Sequence, residues 1–257
     1  MFKQTNKDFD DIIKAIPDNF KVVDIGASSA PTRRADYIID IVPYEGINQN
    51  QLKGPGEVRF SKERYAQHDI CSRKPFPFPD KFFDYAICSH TLEDIRDPIG
   101  VLDEIVRVSK AGYIEIPSRM YETSYGIEGK HLAGNVHHRW IIDIFENRLR
   151  FTFKFSWVHL PFIARKTPPQ GKDRVLQIEW SDSLDYYENF LNSGPEIIKY
   201  YTGLEGEKVV NNFYQKLFGK NYLIAKLEYF YKQSSGFKKF ADNLQLKKVY
   251  KQFFKKV

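Results

Sequence analysis

The sequence predicts an α/β protein: a mostly parallel sheet with helices on both faces, an inserted β-hairpin and a helical C-terminal extension. Three observations predict it. Phe76–Pro117 alternates an apolar run (Phe82–Cys88), a helical pattern with apolar positions at Ile99, Leu102, Ile105, Val106 and Val108, and a second apolar run (Tyr113–Pro117). Strand, helix and strand at this spacing make a right-handed parallel crossover. Upstream, short apolar segments end on acids at Asp24, Asp40 and Asp69. The 257 residues, 42% hydrophobic and 28% charged, can bury one full α/β core.

The elements follow in order. Residues 8–16 (DFDDIIKAI) pattern as a short amphipathic helix that Pro17-Asp18-Asn19 ends. Phe20–Ile25 is the first strand, Tyr37–Val42 the second and Arg64–Ile70 the third, with a Gly-rich loop over 44–58. The crossover supplies the fourth and fifth strands, its helix ending at Ala111-Gly112. Arg139–Glu146 and Arg148–Trp157 alternate around Asn147 as a hairpin. Lys166–Asp173 is a loop, and Ser183–Tyr201 is helical with an interruption at Gly194-Pro195. Asn221–Tyr231 fits either a last strand or a helix, and Phe237–Val257 an amphipathic helix. The expected division is a core over 1–165, hairpin included, and a C-terminal region over 166–257 that carries acceptor-side elements and the tail.

Composition excludes several classes. Cys71 and Cys88 cannot build a disulfide framework or a cysteine cluster, which suits a reducing compartment. The first residues lack the pattern of a secretory signal, and no apolar run approaches the ~20 residues of a membrane span. A cytoplasmic protein is expected. The net charge is +6, and the tail accounts for it: Lys238, Lys239, Lys247, Lys248, Lys251, Lys255 and Lys256 stand against Asp242 alone. The body is electrically balanced, so nucleic acid is disfavoured as a partner. The tail reads as a docked helix with lysines in water, with peripheral contact to an anionic membrane, or contact with a partner or nucleic acid, as alternatives.

The acids lie where a nucleoside-binding sheet needs them. Asp24 and Gly26 end the first strand, where a glycine lets backbone approach a ligand. Asp40 ends the second, where a carboxylate accepts ribose hydroxyls. Asp69 ends the third and can accept from an exocyclic amine while Ile70 covers a base. These acids, with Pro77-Phe78, Asp80, Phe83-Asp84, Leu92-Glu93, Asp97-Pro98, Leu102, Arg107-Val108 and Gly112, resemble the class I S-adenosylmethionine-dependent methyltransferases of the small-molecule type. The resemblance covers roughly residues 20–118. It implies a Rossmann-like sheet, S-adenosylmethionine as cofactor, and Asp24, Gly26, Ala27, Ser28, Asp40, Asp69, Ile70 and Ser89 as its binding residues. The chain departs from the family at its first loop, where Gly26 is followed by Ala-Ser-Ser-Ala-Pro. Only Ala27–Asp36 cross to the second strand, near the lower limit of about a dozen residues. The first helix must therefore be short or irregular, and Arg33 or Arg34 is a candidate partner for the cofactor's carboxylate.

Methyl transfer is an in-line displacement, in which a general base assists an O–H or N–H acceptor. His90, after the fourth strand, and His131, His137 and His138, after the fifth, are the candidates. Their spacing matches no standard metal site and shows no fixed carboxylate partner, so no metal is expected. Cys88 ends an apolar run and reads as packing. Ser89-His90-Thr91-Leu92 replaces both the Asn/Asp-Pro-Pro-aromatic tetrapeptide of base N-methylating enzymes and the Pro-Cys of cytosine-C5 enzymes. The expected acceptor is a small polar molecule such as a sugar, sugar phosphate or glycan precursor, with Arg119, Lys130 and Arg139 suiting a phosphorylated one. RNA methylation and a non-catalytic cofactor-binding partner protein are the alternatives. The oligomeric state is open.

Overall fold

Val22–Ile25 (β2) is buried at every position and so sits in mid-sheet, covered on both faces. In the computed structural model, which describes residues 1–159, 163–165, 167–192 and 194–203, it pairs in parallel with Tyr37–Asp40 (β3) and Phe83–Ser89 (β5). Tyr65–Gln67 (β4) extends the sheet beyond β3, and Ser109–Pro117 (β6) extends it beyond β5. Val175–Ser181 (β9) then pairs antiparallel with β6, and Phe2–Thr5 (β1) antiparallel with β9. The order is β1-β9-β6-β5-β2-β3-β4, a mixed, mostly parallel sheet.

One helix covers each face. Phe9–Ala15 (α1) carries Asp10 and Asp11 in its first turn and Lys14 in its last, matching the helix dipole. Its Ile12 and Ile13 pack on Val22, Ile87 and Tyr113. Pro98–Val108 (α2) starts with Asp97, which accepts from Gly100 N, and Pro98 in its first turn. Its Val101, Leu102, Ile105 and Val108 join Val23, Ala86, Cys88 and Ile114 on the other face. The one-residue offset, Val22 and Ile87 against Val23 and Cys88, is the period of two expected of a sheet covered twice. Burying each large aliphatic of α2 contributes about 1.5–3 kcal/mol.

Four sequence expectations change. The crossover helix ends at Val108, and Ala111-Gly112 lie within β6. A Cβ at Gly112 would lie 2.6 Å from Ala86 O and 2.8 Å from Trp180 Nε1, so this glycine makes room for Trp180. The span expected as helix from 183 holds strand Tyr186–Glu188 (β10), and helix appears at Gly194–Thr202 (α3). The first compact unit runs Met1–Phe190, past the expected boundary at 165, because β9 and β10 belong to it; the second is Leu191–Val257. Strands β1 and β9, unanticipated, fill the edge next to β6. The spans 221–231 and 237–257 lie outside the described residues.

The hairpin forms as read. Trp140–Phe145 (β7) and Arg148–Phe153 (β8) pair around Glu146 and Asn147, both with positive φ (49° and 58°), the signature of a two-residue primed turn. β10 adds in parallel to β8 to complete a three-stranded sheet. Among the described residues no helix is long and apolar enough to cross a membrane.

Candidate active site

Strand order reverses between β2 and β5, and ligands of open α/β sheets bind at the carboxyl ends beside such a reversal. Gly26 follows β2 there with φ +71°, and Thr91 lies against it: Thr91 Oγ1 donates to Gly26 O (2.8 Å). A Cβ on Gly26 would lie 2.3 Å from Thr91 Cγ2, so any side chain would collide. Ala27 is buried, and Ser28, with φ 53°, donates its N–H to Asp40 Oδ2 (2.7 Å). Asp40 Oδ1 accepts from Val42 N (2.8 Å). Gly26, Ala27, Ser28 and Asp40 thus form one knot of backbone at the end of β3.

The other expected cofactor residues divide. Asp24 is buried and its Oδ2 accepts from Thr32 N (2.7 Å), so it holds the following loop; burial pushes its carboxyl above the ordinary range. Residues Ala27–Asp36 form turns and a bridge with no helix. Arg34 is buried, donating to Pro17 O (2.6 Å) and Phe20 O (3.2 Å) and pairing with Asp36 (3.3 Å), which removes it as a partner for a cofactor carboxylate. Asp69 is exposed beyond β4, its Oδ1 accepting from Cys71 N (2.9 Å), and Ile70 beside it is half-buried. A cavity of about 320 Å³ is lined by Ile70, Cys71 and, from the start of α2, Asp97 and Gly100. Ser89 is buried, its hydroxyl 3.4 Å from Glu115 Oε1.

Past β5 and β6 the carboxylates meet side chains instead of backbone. His90 sits between Glu93 Oε1 (3.3 Å, from Nδ1) and Glu115 Oε1 (3.2 Å, from Nε2). Burial alone would lower its pKa; hydrogen bonds to Glu115 and Glu93 outweigh that and raise it to about 9. Glu115 is driven up by burial and down more strongly by His90, Tyr113 and Gln177, to about 2. His90 is therefore an imidazolium at neutral pH with no lone pair to offer. The base role expected of it does not fit its surroundings.

His138 is buried with Nδ1 2.7 Å from Glu122 Oε1, while Lys154 Nζ donates to Glu122 Oε2 (2.5 Å) and Asn135 O (2.8 Å). Burial opposes its protonation, but Glu122 and then Asp94 raise its pKa. Gly134 closes this cluster with φ +59°; a Cβ there would lie 2.5 Å from Glu122 Oε2 and 2.7 Å from Glu122 O. His137 is half-exposed, with Nδ1 3.1 Å from Glu128 Oε1 and Nε2 directed at Asp94 Oδ1 (3.9 Å). His131 is exposed and makes no side-chain hydrogen bond among the described residues. The structure thus gathers His137 and His138 and leaves His90 in a separate carboxylate pair. Cys88 is buried, and burial pushes its thiol far up, consistent with packing.

Residues 37–114, running from β3 to β6 through the α2 crossover, match a family described as a methyltransferase domain. The match takes in Asp40, Asp69 and Ser89 of the expected cofactor residues and leaves out Asp24 and Gly26. No curated protein matches the chain. Among solved structures it is similar to an S-adenosylmethionine-dependent methyltransferase from Aquifex aeolicus (18% identity, 44% of this chain and 65% of that one, TM-score 0.31). It is also similar to one from Mesorhizobium loti (16%, 56% and 62%, 0.29) and to the YcgJ protein of Bacillus subtilis (19%, 42% and 49%, 0.29). The chain spans about half the length of several solved structures it matches.

Near the carboxyl edge of the sheet lie four residues that sequence reasoning assigned no role: Asp94, Glu115, Glu122 and Lys154. Glu93 was read only as part of the family pattern. Glu93 and Glu122 are each 1% exposed, and Glu93 Oε2 and Asp94 Oδ1 are buried with no hydrogen-bond partner. A signal existed for Glu93-Asp94, an acid pair four residues after the end of an apolar strand. None existed for Glu122 and Lys154, which lie 32 residues apart and meet only through the hairpin.

Proposed function

We propose that this protein transfers a methyl group from S-adenosylmethionine to an oxygen of a small polar acceptor, such as a sugar, sugar phosphate or glycan precursor. The observation that carries the reading is the convergence of the family's acids on the sheet reversal: Gly26, Asp40 and Ser89 lie along one carboxyl edge, with Asp69 next along it. The nucleoside end of the cofactor fits this edge. Asp40 gives one bond per carboxylate oxygen to Ser28 and Val42, which leaves a second lone pair on each for ribose hydroxyls. Ile41, 61% exposed directly after Asp40, and Ile70 beside the 320 Å³ cavity offer apolar cover for adenine, with Asp69 at its rim. The amino-acid end meets turns instead of a helix N-terminus, and Arg33 is the cation left in the first loop. Asp24 supports the loop and does not touch the cofactor in this reading.

S-adenosylmethionine supplies the electrophilic methyl group when bound. The chain's residues position the acceptor and take up its proton. With His90 between two carboxylates and His138 buried, the exposed His131 and His137 are the bases this reading retains. A cavity of about 310 Å³ beside the end of β6, lined by Ser118, Arg119, Ile142 and Lys172, has the size and mixed polarity of a small-molecule site. Calorimetry with S-adenosylmethionine tests the donor, and a panel of phosphorylated sugars and sugar nucleotides with labelled donor tests the acceptor. Donor binding with no turnover across the panel would overturn the acceptor assignment, and no donor binding would overturn the whole reading.

A further inference from the structure

Three side chains from two segments aim ligand atoms at one point. Asp94 Oδ1 lies 3.6 Å from His138 Nε2 and 3.9 Å from His137 Nε2, and the three atoms all lie within 4.8 Å of one another. Tetrahedral bonds of about 2.0–2.2 Å place ligand atoms roughly 3.3–3.6 Å apart, so Asp94 already stands near ligand spacing from both histidines, and the two Nε2 atoms, within 4.8 Å of each other, would draw together by up to about 1 Å on one ion. The expectation of no metal rested on the absence of a fixed carboxylate; the fold supplies one in Asp94, whose Oδ1 is buried with no hydrogen-bond partner.

The surroundings are those of a metal centre in two further respects. Metal-bound histidines hand their second ring nitrogen to a carboxylate, which fixes tautomer and ring orientation. Here both do: His137 Nδ1 lies 3.1 Å from Glu128 Oε1 and His138 Nδ1 lies 2.7 Å from Glu122 Oε1. The two segments are also pinned to each other by backbone, since Arg139 N (2.7 Å) and Trp140 N (3.1 Å) donate to Glu93 O, and Trp140 Nε1 donates to Ile95 O (2.9 Å). The ligands therefore need no loop rearrangement to meet. The Asn135 amide, 3.1 Å from His138 Nε2, must turn aside or present its oxygen as a fourth ligand.

We propose that Asp94, His137 and His138 bind one divalent transition-metal ion of borderline softness, zinc being the ion such a two-histidine, one-carboxylate set commonly takes, with one position left for water or an acceptor oxygen. The proposal stands apart from methyl transfer, because it rests on none of the cofactor residues. Its consequence for that reading is specific: the ion takes the Nε2 lone pair of His137, and the base role falls to His131.

The test uses untagged full-length protein stripped by a chelator, then titrated with Zn²⁺ by calorimetry and with Co²⁺ by visible absorption. The expected result is one ion per chain, with the intense visible band of a four-coordinate cobalt site. Asp94→Asn and His137→Ala should each weaken binding by about 100-fold or more; Glu128→Gln, which keeps all three ligands, should weaken it by about 10–100-fold. His131→Ala should leave it unchanged. His137 is exposed, so its variant reports even if changes at Asp94 impair folding. Substoichiometric uptake by the wild type, or His137→Ala binding as the wild type does, would overturn the proposal. S-adenosylmethionine affinity measured on the same stripped sample keeps the two readings separate.

Discussion

The two ends of the same sheet edge treat buried carboxylates in opposite ways. On the side that the proposed function gives to the methyl donor, Asp24 and Asp40 accept from the amides of Thr32, Ser28 and Val42, so the acids hold backbone in place. On the side it gives to the acceptor, Glu93, Asp94, Glu115 and Glu122 meet His90, His137, His138 and Lys154, groups that carry or can take charge. Backbone amides do not titrate and cannot be exchanged for a ligand without unfolding the loop. Side-chain partners can be altered by pH, by an ion or by a substrate. The first arrangement makes a frame and the second a responsive site.

The contrast can be broken at several points. The largest effect is expected at Lys154, buried against Glu122 with side-chain exposures of 3% and 1%. Lys154→Met leaves Glu122 with His138 as its one charged partner and should lower stability in urea by about 3 kcal/mol or more. A loss below about 1 kcal/mol would show that the acceptor-side cluster is no tighter than a surface pair. Next comes Gly26→Ala, which meets Thr91 Cγ2 at 2.3 Å in a left-handed conformation and should cost about 2–3 kcal/mol in thermal unfolding. Adding Thr91→Ser removes that methyl and should restore part of the loss; no recovery would mean backbone strain alone sets the cost.

A smaller effect separates the two donor-side acids. Asn at 40 offers an N–H to one of two backbone N–H groups, a mismatch of about 1–2 kcal/mol, whereas Asn at 24 can keep its oxygen on Thr32 N. Asp40→Asn should also weaken S-adenosylmethionine at least about tenfold, whereas Asp24→Asn should change affinity by less than about threefold; calorimetry giving equal losses would return Asp24 to the cofactor site. The smallest effect is a pH dependence. His90 has a folded pKa raised from the ordinary value of 6.5 to about 9. Its contribution is therefore complete below about pH 6.5 and lost as pH rises through 9. Its side chain is 42% exposed, so screening trims the loss to about 1 kcal/mol. Melting temperatures at pH 6.5 and 9.5 should converge in His90→Gln relative to the wild type, and an unchanged difference would remove His90 as the titrating group.

How much could be read in advance follows from the range of the interactions. The parallel core, the crossover helix and the hairpin turn at Glu146-Asn147 are written in local patterns: period two, period 3.6, and the residue types a turn tolerates. The donor-side acids were legible because each ends its own strand. The antiparallel strands β1 and β9 were not, since Phe2–Thr5 is too short to read alone and pairs with residues near 180. Gly112 read as a helix stop because its real constraint, the Trp180 ring, comes from β9.

By itself the sequence determined the parallel core of the sheet and the order of its acids, because these depend on residues close together along the chain. The tertiary structure decided which histidines lie buried against carboxylates, that Asp24 and Arg34 serve the loop, and that Asp94 faces His137 and His138. The last of these depends on groups brought within 4 Å from segments about 40 residues apart, and no spacing along the chain encodes that meeting.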